Sequence, residues 1–125
     1  MSNTLIRISW PTGELVAHLQ ETPTTEAVLR VLPCESDAKL WGDEVYFSIP
    51  VSCSLEPGAR QVVEPGSVCF WVEGNSLALP FGPTPISKGN ECRLVAKVNV
   101  LGMIEGDPRL LSCVRAGERI RVERA

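Results

Sequence analysis

The residues of this 125-residue chain that could do chemistry are few. A single histidine, His18, limits any serine–histidine or cysteine–histidine mechanism to one candidate base. Its strand pattern places it opposite the apolar face, so we expect it to face solvent. Neither a Gly-x-Ser-x-Gly turn nor a Gly-x-x-x-x-Gly-Lys phosphate loop occurs. The sequence therefore predicts no familiar catalytic template.

An acidic pair, Asp43 and Glu44, follows Trp41-Gly42 and could supply acid–base chemistry. Adjacent residues of a strand point to opposite faces, so the two carboxylates are not expected to act on the same bond. We interpret the pair as a solvated turn that leads into a strand.

Five cysteines are scattered along the chain without a Cys-x-x-Cys pair. Their odd number argues against a disulfide framework. One histidine and no closely spaced cysteines leave too few ligands for zinc. We expect reduced, mostly buried thiols, no bound metal and no cofactor.

The charge and hydropathy of the chain exclude several classes of partner. A net charge of -3 provides no basic surface for nucleic acid or for an anionic membrane. No apolar run approaches the length of a membrane span. The first residues, Met1 to Thr4, enter a strand-like segment without a basic-then-apolar leader. We therefore expect a cytoplasmic protein that binds neither nucleic acid nor membrane.

Strand patterns dominate the elements that must position these residues. Thr22, Pro23 and Glu26 mark the start of one short helix, predicted over residues 23–32. Alternating apolar residues and Gly/Pro turns predict a single, mainly β domain over residues 1–125, folded as a barrel or sandwich. The predicted strands are Leu5–Trp10, Glu14–Gln20, Val45–Val51, Val68–Val72, Leu77–Phe81, Arg93–Ile104, Leu110–Val114 and Glu118–Glu123.

Six of the seven aromatic residues fall between positions 41 and 81. Phe47, Phe70 and Phe81 are in phase with the core residues of their strands. Tyr46 and Trp71 alternate onto the opposite face, and Trp41 stands beside a glycine. In a small barrel, large rings outside the core either pack under a helix or line a groove.

The stretch Phe81-Gly82-Pro83-Thr84-Pro85 ends an apolar strand abruptly. Each proline restricts its own φ and the conformation of the residue before it, so this segment is stiff and extended. A stiff rim loses little entropy when a ligand docks. We expect Phe81 at the floor of a groove and Thr84 at its rim; a loop that merely ends the strand is the alternative.

Several motifs resemble those of the cyclophilin-like domain family of small prokaryotic proteins. Trp41-Gly42-Asp43-Glu44-Val45-Tyr46-Phe47-Ser48-Ile49-Pro50 is similar to its W-G-[DE]-E-[IV]-Y-F-x-[IT]-P stretch. Phe81-Gly82-Pro83-Thr84-Pro85 matches F-G-P-T-P, and Val98-Asn99-Val100-Leu101-Gly102 matches V-N-V-[IVL]-G. The likeness extends over nearly the whole chain.

This resemblance implies a closed cyclophilin-like β-barrel with one or two short covering helices. Cyclophilins catalyse prolyl isomerisation in a groove outside the barrel, with an arginine that bonds the prolyl nitrogen. In the best-matching segment here, Val45–Pro50, Phe47 takes the place of that arginine. Arg60 and Arg93 are candidates to replace it, and whether the protein is an enzyme stays open.

The combined reading is a protein that binds a small polar or peptide-like ligand in an aromatic groove. The residues predicted to form this groove are Trp41, Tyr46, Trp71, Phe81 and Thr84. Three alternatives remain. They are a weak or degenerate peptidyl-prolyl isomerase, a subunit of an amidase-related enzyme by fold analogy, and an oligomer in which the aromatic face is an interface.

Overall fold

The computed structural model describes residues 3–125 and is built mainly from β-strands. Met1 and Ser2 lie outside the described residues. They belong to the predicted 1–125 domain and to the N-terminus that we expect to carry no leader. The elements within residues 3–125 are β1 (Thr4–Trp10), β2 (Gly13–Leu19), α1 (Pro23–Arg30), β3 (Cys34–Asp37), β4 (Lys39–Leu40), β5 (Glu44–Ser48), β6 (Arg60–Val63), β7 (Ser67–Trp71), β8 (Ser76–Pro80), β9 (Cys92–Glu105), a 3₁₀ helix (Pro108–Cys113) and β10 (Arg119–Arg124).

The strands form an antiparallel sheet in the order β3-β10-β1-β2-β9-β7-β8-β5-β4. The strands at the two ends of this order, β3 and β4, are consecutive in the chain and are separated by Ala38 alone. The Ala38 amide donates to the Glu118 carbonyl at 2.8 Å, and the Gly117 amide donates back to the Ala38 carbonyl at 2.8 Å. The chain therefore passes directly from one end of the strand order to the other.

One face of the sheet carries the main hydrophobic core. The alternation of β5, β7 and β8 places every second apolar residue on this face, in agreement with the core phase predicted for Phe47 and Phe70. Phe81 is partly buried and packs against the same cluster. The residues that these three strands contribute to the core are Val45, Phe47, Val68, Phe70, Leu77 and Leu79.

A second apolar cluster lies on the opposite face of β7 and β8. It is covered by β6 paired with the first half of β9, a two-stranded ribbon over residues 60–63 and 92–98 that we call the arm. Tyr46 and Trp71 pack against this outer cluster, as their alternation predicted. The cluster consists of Val63, Cys69, Ala78, Cys92, Leu94 and Val98.

Helix α1 begins where the sequence predicts and ends two residues earlier, at Arg30. The Thr22 hydroxyl accepts from the Thr25 amide at 3.0 Å and caps the first turn. Val28 is fully buried in the main core and fastens the helix to the sheet. Neither helix in residues 3–125 has the length and apolar character needed to cross a membrane.

A polar network joins α1 to the sheet through β9. The buried Asn99 amide group donates to the Thr24 hydroxyl and to the Ser54 carbonyl, both at 3.0 Å. Its oxygen accepts from the Glu56 amide at 2.8 Å. The Glu56 carboxylate in turn accepts from the Thr24 amide at 3.0 Å. The start of α1 and the loop before β6 are therefore held by one side chain of β9.

The strand predicted at Leu110–Val114 is wrong, because this stretch is a 3₁₀ helix. Pro108 lacks an amide hydrogen and suits the first helical turn, and the Asp107 carboxylate accepts from the Arg109 amide at 2.9 Å. Strands β3, β4 and β6 were not predicted. They are short and rich in polar residues, and only their pairing with longer strands makes them extended.

Candidate functional site

A cavity of about 130 Å³ lies between the outer face of the sheet and the arm. Its walls come from the turn before β5, from β5 and β7 themselves, and from the arm. The lining residues are Trp41, Glu44, Tyr46, Trp71, Leu94, Val95 and Val98. Three aromatic and three aliphatic side chains thus surround a single carboxyl group.

β5 directs Glu44 and Tyr46 to the cavity because residues two apart share a face of a strand. Asp43 is exposed in the turn, as we interpreted the acidic pair, whereas Glu44 is only 7% exposed and corrects that interpretation. Burial raises the pKa of Glu44 from its ordinary value of 4.5 to about 7, and no hydrogen bond or cation within residues 3–125 opposes this shift. The site therefore contains a carboxyl group that changes its charge near neutral pH.

Tyr46 and Trp71 form a corner of the cavity. Their ring centroids are 6.0 Å apart and the ring planes meet at 85°. The Trp71 ring lies on the backbone of Gly74, where a Cβ atom would overlap it. The Trp71 indole N–H is buried and has no hydrogen-bond partner within residues 3–125. Trp71 thus has a defined position and an unused donor.

The turn before β5 rests on residues 81–85, which we call the rim segment. Gly42 has a φ of +59°, and a Cβ atom there would lie 2.8 Å from Cδ of Pro85. The Asp43 amide donates to the Pro83 carbonyl at 3.0 Å, and the Phe81 amide donates to the Asp43 carbonyl at 2.8 Å. The rim segment therefore fixes the turn that carries Trp41 and leads into Glu44.

Thr84 connects the rim segment to the arm. Its hydroxyl donates a hydrogen bond to the Arg93 carbonyl at the start of the arm. Its amide donates to the Ser87 hydroxyl at 2.9 Å, which also accepts from the Arg93 amide at 3.1 Å. The two walls of the cavity, turn and arm, are thus held at a set separation by one threonine and one serine.

Three of the five predicted groove residues, Trp41, Tyr46 and Trp71, line this cavity together. Phe81 packs against the main core, and Thr84 is buried in the connection to the arm, so neither is among the lining residues. The residues that sequence reasoning missed are Glu44 and the arm residues Leu94, Val95 and Val98. Glu44 could have been identified from its position two residues before Tyr46, because residues two apart share a face of a strand.

Two thiols, those of Cys69 and Cys92, are the other ionisable groups with shifted pKa values near the cavity. Burial, with Glu44 as a further cause, raises the pKa of the Cys69 thiol far above its ordinary range. The pKa of the Cys92 thiol is also raised, by burial first and then by Asp43, Glu64 and Glu44. Both thiols are therefore protonated and poorly nucleophilic at neutral pH. Residues 3–125 contain no group of three or more His, Cys, Asp or Glu that could hold a metal ion.

No arginine or lysine is among the residues that line the cavity. The Arg93 guanidinium is paired with Glu91 at 2.7 Å. Phe47, at the position where the resemblance expects the cyclophilin arginine, is 1% exposed and points into the main core. The cavity thus lacks the cation that prolyl isomerisation would use.

A second, larger hollow of about 340 Å³ lies beside α1 and is lined by Thr24, Cys53 and Glu56 among others. Its carboxylate, Glu56, already accepts from the amide and the hydroxyl of Thr24. Because the carboxylate of this hollow already has its partner within the protein and Glu44 has none within residues 3–125, we consider the smaller cavity the candidate site.

The comparisons with known proteins agree with this architecture. The family model described as Cyclophilin-like matches residues 4–123. The solution structure of AF2241, a hypothetical protein from Archaeoglobus fulgidus, superposes with a TM-score of 0.84 at 38% sequence identity, over 98% of this chain and 95% of that chain. No curated protein matches the chain. The chain, with its outer arm and aromatic cavity, belongs to the cyclophilin-like family.

Proposed function

We propose that this protein binds a small ligand in the cavity between the sheet and the arm. The observation that carries the proposal is Glu44, a buried carboxyl with no partner within residues 3–125, inside an aromatic-lined cavity. Burying an ionisable group without a partner is costly, and such groups concentrate at functional sites. A polar ligand would supply the missing partner.

The size of the cavity limits the ligand. Pockets for drug-sized molecules measure roughly 300–1,000 Å³, whereas this cavity measures about 130 Å³. A small polar molecule, or one side chain of a peptide-like ligand, suits that space. Val95 is 55% exposed at the cavity and would be covered by the rest of a longer ligand.

Within this proposal the predicted groove residues have two roles. Trp41, Tyr46 and Trp71 contact the ligand together with Glu44. Phe81 and Thr84 are positioning residues, because they anchor the rim segment to the core and to the arm.

The test is a fragment screen followed by NMR, with the Trp71 indole N–H signal as the reporter. We expect small polar fragments to shift this signal in the wild type, and to leave the backbone amide signals of residues 44–46 and 94–98 unchanged in the Trp71→Ala variant. Leu110→Ala is the control, since Leu110 is exposed and does not line the cavity. Fragments that bind only at the hollow beside α1, or no binding at all, would overturn the proposal.

The rival function is prolyl isomerisation. The lack of a guanidinium among the lining residues favours binding over this reaction. In a proline-peptide isomerisation assay we expect no rate above buffer. A clear acceleration that disappears in Trp71→Ala would establish the rival instead.

We further propose that the sheet closes into a barrel. Residues of β3 lie close to residues of β5, and β3 continues into β4 through Ala38, which supports closure. We expect slow hydrogen exchange for the Ala38 amide and for the amides of β3. Rapid exchange throughout residues 34–40 would indicate an open edge.

The setting of this function is part of the proposal. Five free cysteines support a reducing compartment, the cytoplasm. An accessible cavity requires that the aromatic face is not buried between subunits. A stable dimer at micromolar concentration that masks Trp71 from a soluble quencher would favour the interface alternative.

A further inference from the structure

The charged groups around the cavity are mostly of one sign. Glu44 lines the cavity. The negative charges of Asp43, Glu64 and Glu44 all help to raise the pKa of the nearby Cys92 thiol. The positive charge of Arg60 lowers the pKa of Cys69, but no cation within residues 3–125 lowers the pKa of Glu44. An anionic ligand would meet an acidic, poorly solvated site, whereas a cation would be attracted to it.

The walls of the cavity also suit a cation. Trp41, Tyr46 and Trp71 line it together, and the rings of Tyr46 and Trp71 stand almost at right angles 6.0 Å apart. Aromatic rings attract cations through their negative faces, and boxes of such rings recognise alkylated ammonium groups. The aliphatic side chains Leu94, Val95 and Val98 would pack against the alkyl groups of such a ligand.

We propose that the ligand carries a compact alkylammonium group. This group pairs with the Glu44 carboxylate inside the aromatic box formed by Trp41, Tyr46 and Trp71. This inference rests on the proposed function, because it names the chemical class of ligand for the same cavity. The cation would offset the burial of Glu44, which no group within residues 3–125 offsets. A neutral amide ligand is the competing class; it would instead accept a hydrogen bond from protonated Glu44.

The two classes differ in their pH dependence. A quaternary ammonium keeps its charge at every pH, so its binding would follow the ionisation of Glu44. Its affinity is expected to fall about tenfold per pH unit below about pH 7. A ligand that needs protonated Glu44 would lose affinity above that pH. The other ionisable groups around Glu44 are Asp43, Tyr46, Arg60, Glu64, Cys69 and Cys92.

The experiment compares choline with 3,3-dimethylbutan-1-ol, its neutral analogue of the same shape. Binding is measured by NMR titration of the full chain at pH 8.5 and pH 5.5. At pH 8.5 we expect choline to bind at least about tenfold tighter than the alcohol, and this preference should shrink at pH 5.5 to the part that the aromatic rings contribute. Glu44→Gln should show only this smaller preference, equal at both pH values. Glu73→Gln, an equal charge change at an exposed turn residue, should show the larger preference at pH 8.5 and its decrease at pH 5.5.

The outcomes separate the inference from the proposed function. Equal or tighter binding of the alcohol at pH 8.5 would overturn the cation inference and leave ligand binding intact. The cation inference would also be overturned, with ligand binding intact, if fragments other than choline and the alcohol were the only compounds that shift the Trp71 indole signal. Failure of every compound overturns both. The two pH arms on the wild type need no variant, so a folding defect in Glu44→Gln would not prevent a decision.

Discussion

Glu44 is the residue on which the site depends. Its backbone belongs to an ordinary strand pair, with Pro80 opposite it, yet its carboxyl is enclosed by aromatic and aliphatic side chains. Burial alone sets its pKa near 7, so its cost to the folded state changes with pH. This residue can therefore be examined through stability as well as through binding.

Replacing Glu44 with Gln tests that cost. The folded-state pKa of about 7 exceeds the ordinary value of 4.5, so between these pH values the folded protein keeps a proton that the unfolded chain has released. The contribution of Glu44 to the free energy of unfolding of the wild type should therefore fall from about pH 4.5 to about pH 7, by about 3 kcal/mol. Glu44→Gln should lack this fall in urea titrations at pH 4.5 and pH 8, whereas Glu73→Gln should show it. A fall of equal size in Glu44→Gln would contradict the assignment.

Gly74 offers a second test at this scale. Its φ is not in the left-handed region, so a substitution is limited by space alone, and an added Cβ would overlap the Trp71 ring. Gly74→Ala should therefore displace Trp71, shift its fluorescence and weaken ligand binding. The matched control is Gly58→Ala, where an added Cβ meets nothing within 4 Å. Unchanged Trp71 fluorescence in Gly74→Ala would show that this contact is unimportant.

At the scale of elements, the rim segment connects parts that are far apart in sequence. It bonds to the turn before β5 through the Asp43 amide and carbonyl, and to the arm through Thr84. The two prolines make it stiff, so it acts as a spacer between the two walls of the cavity. The F-G-P-T-P motif is thus explained by support of the site as well as by the end of a strand.

Thr84→Val removes the hydroxyl bond of that connection with little change of shape and leaves the amide bonds to Ser87. The Arg93 carbonyl loses the Thr84 hydroxyl as a donor, and the loss of one such hydrogen bond costs about 0.5–1.5 kcal/mol. We expect a loss of that size in urea unfolding, together with faster hydrogen exchange in the arm. Thr12→Val, at an exposed turn position, should change neither measurement. Normal exchange in the arm of Thr84→Val would mean that the arm is held by its apolar contacts alone.

Asn99 has a corresponding role where β9 meets the start of α1. It donates to Thr24 and Ser54 and accepts from Glu56, so Asn99→Leu leaves buried polar groups unpaired. We expect a destabilisation of at least about 2 kcal/mol, with α1 amides exchanging faster than those of β7 and β8. Uniform acceleration across the whole chain would show instead that α1 does not loosen separately.

At the scale of the whole molecule, stability depends on the main core. The core is continuous across the sheet, α1 and the 3₁₀ helix, whereas the ion pairs lie at the surface. Arg119 and Arg121 pair with Glu35 at 3.2 Å and 3.1 Å along the β3–β10 edge, and all three side chains are at least 40% exposed. Exposed pairs of this kind contribute little because water and salt screen them.

Two substitutions contrast these contributions. Leu77→Ala removes a fully buried side chain and should cost about 2–5 kcal/mol in the free energy of unfolding. Glu35→Gln breaks the surface pairs and should leave the thermal midpoint nearly unchanged in the presence of salt. A large shift for Glu35→Gln would show that the β3–β10 ion pairs hold the sheet together more strongly than screening allows.

Which residues share a face can be predicted from the local pattern of each strand. Alternation predicts that Phe47 and Phe70 lie on one face and that Tyr46 and Trp71 lie on the other, as the structure has them. The capping residue Thr22 predicts where α1 begins. Both predictions succeed because the signals depend only on residues that are close in sequence. The same alternation puts Glu44 on the face of Tyr46. It does not show that this face is covered, so the local pattern alone predicts a solvated acidic pair.

What lies over that outer face depends on pairing between segments that are distant in the chain. β6 pairs with the first half of β9 across about thirty residues of chain, and this pairing brings Leu94, Val95 and Val98 over Glu44. β6 has no apolar–polar alternation, so periodicity does not predict it as a strand. The 3₁₀ helix at Pro108–Cys113 contains apolar residues that favour a strand prediction. Burial of a carboxyl is a property of what packs against it, and contacts between distant segments cannot be deduced from the local pattern of one sequence.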